Sequence, residues 1–380
     1  MRVIHVTDYG SPHAGAFVPM LRTAMARIRA CGWKPLATFP ARARTRSREW
    51  LPEFEAEHGN EVLVAPDVSR RQLGRWLAEV VASDPGPTIL HSHMTAYDLA
   101  VAGLARRRRD IRAIWHFHTV LNDDLRAQVR NRLRFALASR YVERMLCAGP
   151  GLVEAICARG APRDKVLHFP AGLDVSRFPG GIEADERASA RAALGVPSDA
   201  VALLHFSRDW QVKGGDLFLE AFRLLSDRDG LVALMLRGGD DARAEVTRHR
   251  LDDRALVLED VSDIRLLYAA SDLMMATSRG EGEPLAVLEA LASGLGVVAT
   301  DIPGHSAFID GPPALSIAPL APKGIAKTAA ALLDRDPELA RREGAISHEW
   351  VKTERGLEAW GDRLIALYED VSRDWGAAAR

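Results

Sequence analysis

Residues 278–289 read SRGEGEPLAVLE, which sets Glu281, Glu283 and Glu289 around a glycine–proline turn. A helix start attracts negative charge because its first N–H groups are unpaired and its dipole is positive there. That explains one or two acids but not the interval between Glu281 and Glu289. Pro284 suits a first helical turn and Gly294 a helix end, so the pattern predicts a helix over 284–293. Glu289 then lies about 12 Å beyond Glu281 along the axis, at 1.5 Å per residue. Two carboxylates so placed can hold hydroxyl groups at the two ends of an extended ligand. Amides of Gly282, Glu283 and Leu285, in the turn that Pro284 shapes, would meet a phosphate between them. Glu283 reads either as a solvated helix-start acid or as a residue that points at the ligand and biases its choice.

Other residues join this set. The apolar run ending at Phe206 is followed by SRDWQVKGGD, with Arg208 and Lys213 five residues apart. Two cations beside exposed helix amides make a diphosphate site, although a solvated basic loop has the same composition. Gly238, in the LRGG that follows the next apolar run, permits close backbone approach but serves as often in a plain turn. Near the start, Gly10 and Gly15 frame DYGSPHAGAF, a loop that opens a helix, with Ala16 at its threshold and His13 a candidate acceptor contact or a plain loop residue. WHFHT, 115–119, ends a strand with His116 and His118 on one face. No third ligand stands at a metal-like spacing, so no metal site is expected. His91 and His93 read as structural or supporting.

These residues need elements to hold them. Short apolar runs alternate with longer amphipathic segments throughout. Strands are expected at 2–7, 34–39, 61–64, 88–92, 112–117, 144–148 and 165–169, with helices over 15–31, 69–83, 95–108, 122–139 and 151–159. After a Pro-Gly-Gly break at 179–181 the alternation restarts, with strands at 201–206, 231–237, 255–258, 272–276, 296–300 and 314–317. Strand–helix alternation implies a parallel sheet covered on both faces. The expected architecture is therefore two doubly wound α/β domains facing each other across a cleft. Ligands of such sheets bind beyond the carboxyl ends of the strands, where every candidate above falls.

At 380 residues the chain suits two domains, and 47% hydrophobic with 27% charged residues is an ordinary globular balance. Fifty basic and 51 acidic residues nearly cancel, which argues against a nucleic-acid partner. Apolar runs are strand-sized, below the roughly 20 residues of a membrane span. The first strand begins at once, leaving no room for a signal peptide, and three scattered cysteines, Cys31, Cys147 and Cys157, fit a reducing cytoplasm.

GEGEPLAVLEALASGLGVVATDIPG, at 280–304, resembles the paired-glutamate motif of the retaining GT-B glycosyltransferases, the large family 4-like group with sucrose synthase, glycogen synthase relatives and bacterial mannosyl- and N-acetylglucosaminyltransferases. The resemblance spans nearly the whole chain. It implies a GT-B fold of two Rossmann-like domains. The first covers 1–178 and takes the acceptor, completed by a C-terminal helix, 357–380, that crosses back. A linker follows at 179–196, and the donor domain covers 197–356. By the same resemblance Glu281 contacts the donor sugar, Glu289 the ribose, and Arg208 with Lys213 the diphosphate, while 260–278 borders the base. His118 lies at the cleft by the reacting carbon, and Gly15 and Ala16 belong to the first glycine loop. Four departures stand out. Glu283 replaces an apolar or aromatic residue, Gly296 a proline, Ala16 a glycine, and Ala171 the asparagine of the segment entering the linker.

The implied activity is metal-independent transfer, with retention, of a hexosyl or N-acetylhexosaminyl group from a nucleoside-diphosphate sugar, expected to be a UDP-sugar. The acceptor is a hydroxyl on a sugar, glycolipid or specialised metabolite. The donor is a substrate, so no cofactor is expected, and the enzyme would be a cytoplasmic monomer or homodimer. A nucleotide-sugar epimerase of the same fold and a non-catalytic nucleotide-sugar-binding module remain alternatives. Arg126, Arg130 and Arg134 recur every fourth residue on 122–139 as one stripe, a solvated face or a peripheral membrane contact. Trp360, Leu364, Leu367 and Tyr368 form an apolar stripe on the C-terminal helix that must pack.

Overall fold

A computed structural model describes residues 1–66, 70–119, 121, 124–261, 263–308 and 310–377. Asn122 and Asp123 in the expected 122–139 helix, and Ser262 in the 260–278 segment, lie outside the described residues.

The chain divides into two compact units, Met1–Gly172 with Leu357–Arg380, and Leu173–Gly356. The first holds β1 (Arg2–Thr7), β2 (Lys34–Phe39), β3 (Val62–Val64), β4 (Thr88–His93), β5 (Ile111–Phe117), β6 (Arg144–Cys147) and β7 (Val166–His168). They form one seven-stranded sheet in the order β3-β2-β1-β4-β5-β6-β7, parallel at every pairing. The second unit holds β8 (Val201–Phe206), β9 (Leu231–Leu236), β10 (Ala255–Leu258), β11 (Leu273–Ala276), β12 (Gly296–Thr300) and β13 (Leu315–Ala318). Their order is β10-β9-β8-β11-β12-β13, again all parallel. Strands such as VALLHF and LVALML are nearly continuous apolar runs because helices cover both faces.

In each sheet the strand order reverses once, between β1 and β4 and between β8 and β11. Loops diverge there and open a crevice at the carboxyl ends. The loops after β8 and β11 carry Arg208, Lys213 and Glu281, and the loop after β1 carries Gly15.

Helix Leu357–Ala377 belongs to the first unit and buries Trp360, Leu364 and Tyr368, while Leu367 is only partly covered. Gly172 lies against Trp360, where an added Cβ would come within 2.9 Å of the indole. Residues 173–196 pack in the second unit: Arg187 and Arg191 of helix Ala184–Leu194 both bind Asp272 at 2.7 Å. The sequence pattern gave no helix between Ala41 and His58. The chain nevertheless forms helices Ala43–Arg46 and Leu51–His58, which bury Trp50 and Phe54 against Phe39.

Candidate functional site

In the second unit, β8 runs into Ser207, Arg208 and Asp209, then a single turn Trp210–Lys213, and Gly214 links this to helix Gly215–Leu224. Gly214 has φ +65°, and a Cβ on it would sit 2.1 Å from the Thr277 carbonyl oxygen. No other residue fits, because this loop is pressed against the loop after β11. Thr277 Oγ1 donates to the Gly214 carbonyl at 2.8 Å, and Arg279 binds Asp216 through both nitrogens at 2.8 and 2.7 Å. Lys213, at the end of its turn, is thereby brought beside Glu281. Lys213 Nζ donates to Glu281 Oε1 at 2.7 Å, and Ser278 Oγ donates to the same oxygen at 2.7 Å. Gly304 lets the next loop close over them, since a Cβ there would lie 3.0 Å from the Glu281 Cβ. Lys213 and Glu281 line one cavity of about 30 Å³ with His205, Ser278, Pro284 and Leu285. Arg208 stands in solvent and takes part in none of the hydrogen bonds or ion pairs among the described residues.

The helix after the turn spans Leu285–Ala292, with Pro284 at its N-cap and Gly294 at φ +75° beyond its end. Glu289 faces inward and its Oε2 accepts a hydrogen bond from the Tyr268 hydroxyl at 2.6 Å. Burial pushes the Glu289 carboxyl up, against the lowering pull of that hydrogen bond and of Arg177. Glu283 corrects one expectation, because it is not a solvated acid. Its side chain is only 5% exposed and faces Arg355, with Oε1 4.0 Å from Nε, while Arg355 lies over the rings of Phe308 and Trp350. An acid in that position stabilises a buried guanidinium inside the domain wall.

Gly238 precedes helix Gly239–Arg248, and a Cβ on it would lie 2.2 Å from the Ala242 Cβ and 3.3 Å from the Ser207 Cβ. Its requirement is close packing of that helix against the loop carrying Arg208. In the first unit, Gly15 has φ +53° under the Tyr9 hydroxyl, which donates to the carbonyls of His13 and Ala14, and Ala16 caps helix Phe17–Ala30. His13 pairs with Glu49 at 2.9 Å on the surface.

Two buried histidines of the second unit escaped sequence reasoning. His205 on β8 binds the Met275 carbonyl through Nδ1 at 3.0 Å and stacks on Phe218. His305 binds the Thr300 carbonyl through Nδ1 at 2.9 Å and senses the charges of Glu281 and Lys213. In both, the buried Nε2 has no hydrogen-bond partner among the described residues. Burial holds both neutral, His205 down to about 4. The PG that precedes His305 was in view, but its proximity to Glu281 depends on β12 lying beside β11.

The first unit gathers histidines more densely than expected. Register puts His5 beside His91 and His93 beside His116, so β1, β4 and β5 present imidazoles to one face. His5 Nδ1 lies 3.0 Å from His93 Nε2, His93 Nδ1 2.9 Å from His118 Nε2, and His91 Nε2 3.2 Å from His116 Nδ1. Tyr368 brings its hydroxyl to 2.6 Å from His91 Nδ1 and 3.5 Å from His5 Nε2. Sequence spacing offers no third ligand to His116 and His118, but folding brings His93 beside them from the neighbouring strand, and His5, His91 and His93 form a second such group. Spacing along one segment could not reveal imidazoles brought together from different strands. Burial drives all five below the usual imidazole range, His5 to about 3 and His118 to about 4.

The arginine stripe of helix Leu125–Ala138 is also revised. Arg134 is buried against Trp115, Phe117 and Phe135 and pairs with Asp98 at 3.2 Å. What faces solvent is an aliphatic row at every fourth residue, with Leu125 76%, Val129 49%, Leu133 56% and Leu137 67% exposed. It lines an open groove of about 1300 Å³, to which Arg126 and Arg130 also contribute.

Residues 200–335 match the family profile described as glycosyl transferases group 1, and residues 38–177 match glycosyltransferase family 4. A D-inositol 3-phosphate glycosyltransferase of Geodermatophilus obscurus is 30% identical over 344 residues, covering 80% of this chain and 71% of that protein. The lipopolysaccharide core biosynthesis mannosyltransferase LpsB of Rhizobium meliloti is 30% identical over 226 residues, 56% of this chain and 62% of its own. Among solved structures, Anabaena Alr3699/HepE in complex with UDP superposes with a TM-score of 0.78 at 17% identity, over 97% of this chain and all of that one. That similarity establishes the GT-B arrangement of the fold.

Proposed function

The chain belongs to the family 4-like glycosyltransferases, and from that premise we propose that it transfers a hexosyl or N-acetylhexosaminyl group from a UDP-sugar, with retention, to a hydroxyl of a sugar, an inositol phosphate or a glycolipid. The observation that carries this reading is the Lys213–Glu281 pair, 2.7 Å apart at the strand-order reversal with Arg208 exposed in the same loop. In the reaction the bond between the anomeric carbon and the diphosphate breaks, and a bond from that carbon to the acceptor oxygen forms on the same face. The acceptor proton passes to the departing phosphate oxygen. Negative charge grows on the diphosphate, and groups fixed in advance where charge develops lower the barrier most. Arg208 and Lys213 are assigned that work. Glu281 holds Lys213 in place before the donor arrives and takes a sugar hydroxyl afterwards; Glu289 takes the ribose.

A thermal-shift panel of UDP, GDP, ADP and their sugars tests the donor, with UDP-sugars expected to raise the melting temperature most. Mass spectrometry of reactions with inositol phosphate, monosaccharide and glycolipid acceptors then tests transfer. Donor incubated alone should remain unchanged; a new nucleotide sugar would instead establish an epimerase, and binding without any turnover a sensing module. Because two cationic side chains are assigned to the diphosphate, turnover in excess EDTA is expected to stay within about twofold of the untreated rate.

The exposed leucine row beside Arg126 and Arg130 supports a peripheral membrane contact, with aliphatic groups entering the headgroup boundary and arginines meeting anionic lipid. The protein is expected to co-sediment with phosphatidylglycerol vesicles, less with phosphatidylcholine, and Leu133→Glu with Leu137→Glu should release it without unfolding. Equal sedimentation of wild type and double variant would remove this partner.

A further inference from the structure

Each neutral imidazole carries one N–H donor and one bare nitrogen, so in a row of hydrogen-bonded histidines the state of one ring dictates the next. The buried contacts form such a row: His118 Nε2 with His93 Nδ1, His93 Nε2 with His5 Nδ1, His5 Nε2 with the Tyr368 hydroxyl, that hydroxyl with His91 Nδ1, and His91 Nε2 with His116 Nδ1. With the Tyr368 hydroxyl donating to one of its two neighbours, only two self-consistent proton arrangements exist, one with every ring protonated at Nε2 and one with every ring protonated at Nδ1.

The contacts of Tyr368 choose between them. Its oxygen lies 2.6 Å from His91 Nδ1, a length that fits a hydroxyl donor better than an N–H···O bond, whose usual range begins near 2.7 Å. The hydroxyl therefore donates to His91 and turns a lone pair toward His5, with the longer contact of 3.5 Å. His5 must then carry its proton on Nε2, His93 on Nε2, and His118 on Nε2. On the other branch, His91 donates to His116 and leaves the His116 Nε2–H as the buried end without a partner among the described residues, beside the perpendicular ring of Phe169. An orphaned buried group costs about 1–3 kcal/mol, and it is confined to one terminus while all inner contacts are matched. The opposite arrangement would leave the same nitrogen unpartnered and would also require an unusually short N–H···O bond at Tyr368.

We propose that Tyr368, His5 and His93 are positioning residues that fix His118 in its Nε2–H form, so that the bare Nδ1 of His118 is a hydrogen-bond acceptor for a hydroxyl group of the ligand. His118 is half-buried and lines a pocket of about 200 Å³ with Met94, Thr95 and Asn131, so this end of the row meets ligand while the rest is sealed. The group selected there is a sugar or polyol hydroxyl that donates its hydrogen. A phosphate or carbonyl oxygen would meet a lone pair and be refused. This deepens the proposed transferase function and rests on His118 facing the ligand, but the tautomer can be read without donor or acceptor. Failure of one is therefore separable from failure of the other.

The test is long-range ¹H–¹⁵N correlation on full-length protein labelled with [¹⁵N]histidine, with His118 assigned by His118→Gln. His118 is expected as a single tautomer, Nε2 with a protonated-nitrogen shift and Nδ1 with a bare-nitrogen shift. In Tyr368→Phe, with near-ultraviolet circular dichroism intact, the two shifts should move toward each other as both tautomers become populated. If that variant fails to fold, His93→Gln, which cuts the row next to His118, should produce the same convergence. A wild-type His118 protonated at Nδ1, or already averaging, overturns the proposal. So do unchanged His118 shifts in the folded variants.

Discussion

Arg208→Ala should slow turnover by about 10²–10³, the scale of removing one preorganised donor from a transition state, and leave the melting temperature where it was. The two halves of this expectation come from the same observation. Arg208 is exposed and makes no bond or ion pair among the described residues, so its removal breaks nothing in the folded chain. Lys213 differs, because its ammonium is tied to Glu281 and Lys213→Ala would strand a carboxylate that is 13% exposed. Stability and catalysis would fall together there, and the result would be ambiguous. Arg208 is the cleaner probe. Steady-state kinetics with saturating acceptor, alongside thermal unfolding, decides the matter: turnover within threefold of wild type would remove Arg208 from the diphosphate site.

Acidification should unfold the protein through the histidines it buries as neutral rings. Histidines buried neutral have folded pKa values below the unfolded value of 6.5, so as pH falls the unfolded chain binds protons first. Stability is thus complete above about pH 6.5 and lost as the folded values are approached. His5, at about 3, and His205, at about 4, are each 1% exposed. At about 1.4 kcal/mol per pH unit for each group, these two alone remove about 3 kcal/mol per unit below pH 6. His91, His93, His116 and His118 add to this. Asp98, raised to about 6 by burial, and Glu289, also raised, act with the opposite sign but are fewer. Against a total stability of about 5–15 kcal/mol for an ordinary domain, the loss is decisive. Urea midpoints at pH 7.5 and 5.0 should differ by a large fraction, and equal midpoints would contradict the burial of these rings as neutral species.

Local pattern carried the strands well. Runs such as RVIHVT and GVVAT are short and apolar and fold over the residues read for them, and every other strand boundary agrees to within one residue at each end. The same reading missed helices in 41–58, where arginines and glutamates dominate and the large apolar residues, Trp50, Leu51 and Phe54, are too few to show a period. The intervals between Arg208 and Lys213 and between Glu281 and Glu289 were visible because each pair lies on a loop and the helical turn that it opens. What was hidden depends on register between distant strands. Nothing in LHSH or HFH announces that β1 inserts beside β4 and adds His5, or that Tyr368 arrives on the last helix. Side-chain direction was equally hidden. Arg134 and Glu283 have the composition of surface charges, and only tertiary packing turns each toward a buried partner of opposite sign.

The first unit is closed by residues synthesised after the whole of the second. Its sheet is complete once β7 has been made, yet the face that receives Trp360, Leu364 and Tyr368 stays open until some two hundred further residues have been made. The intervening unit is continuous in sequence and can finish folding on the ribosome while its predecessor waits with an apolar seam and an unfinished row of imidazoles. A chain cut short near residue 356 would hold one complete lobe and one that is sticky, so proteolytic trimming or early termination should yield aggregates rather than a weakened enzyme.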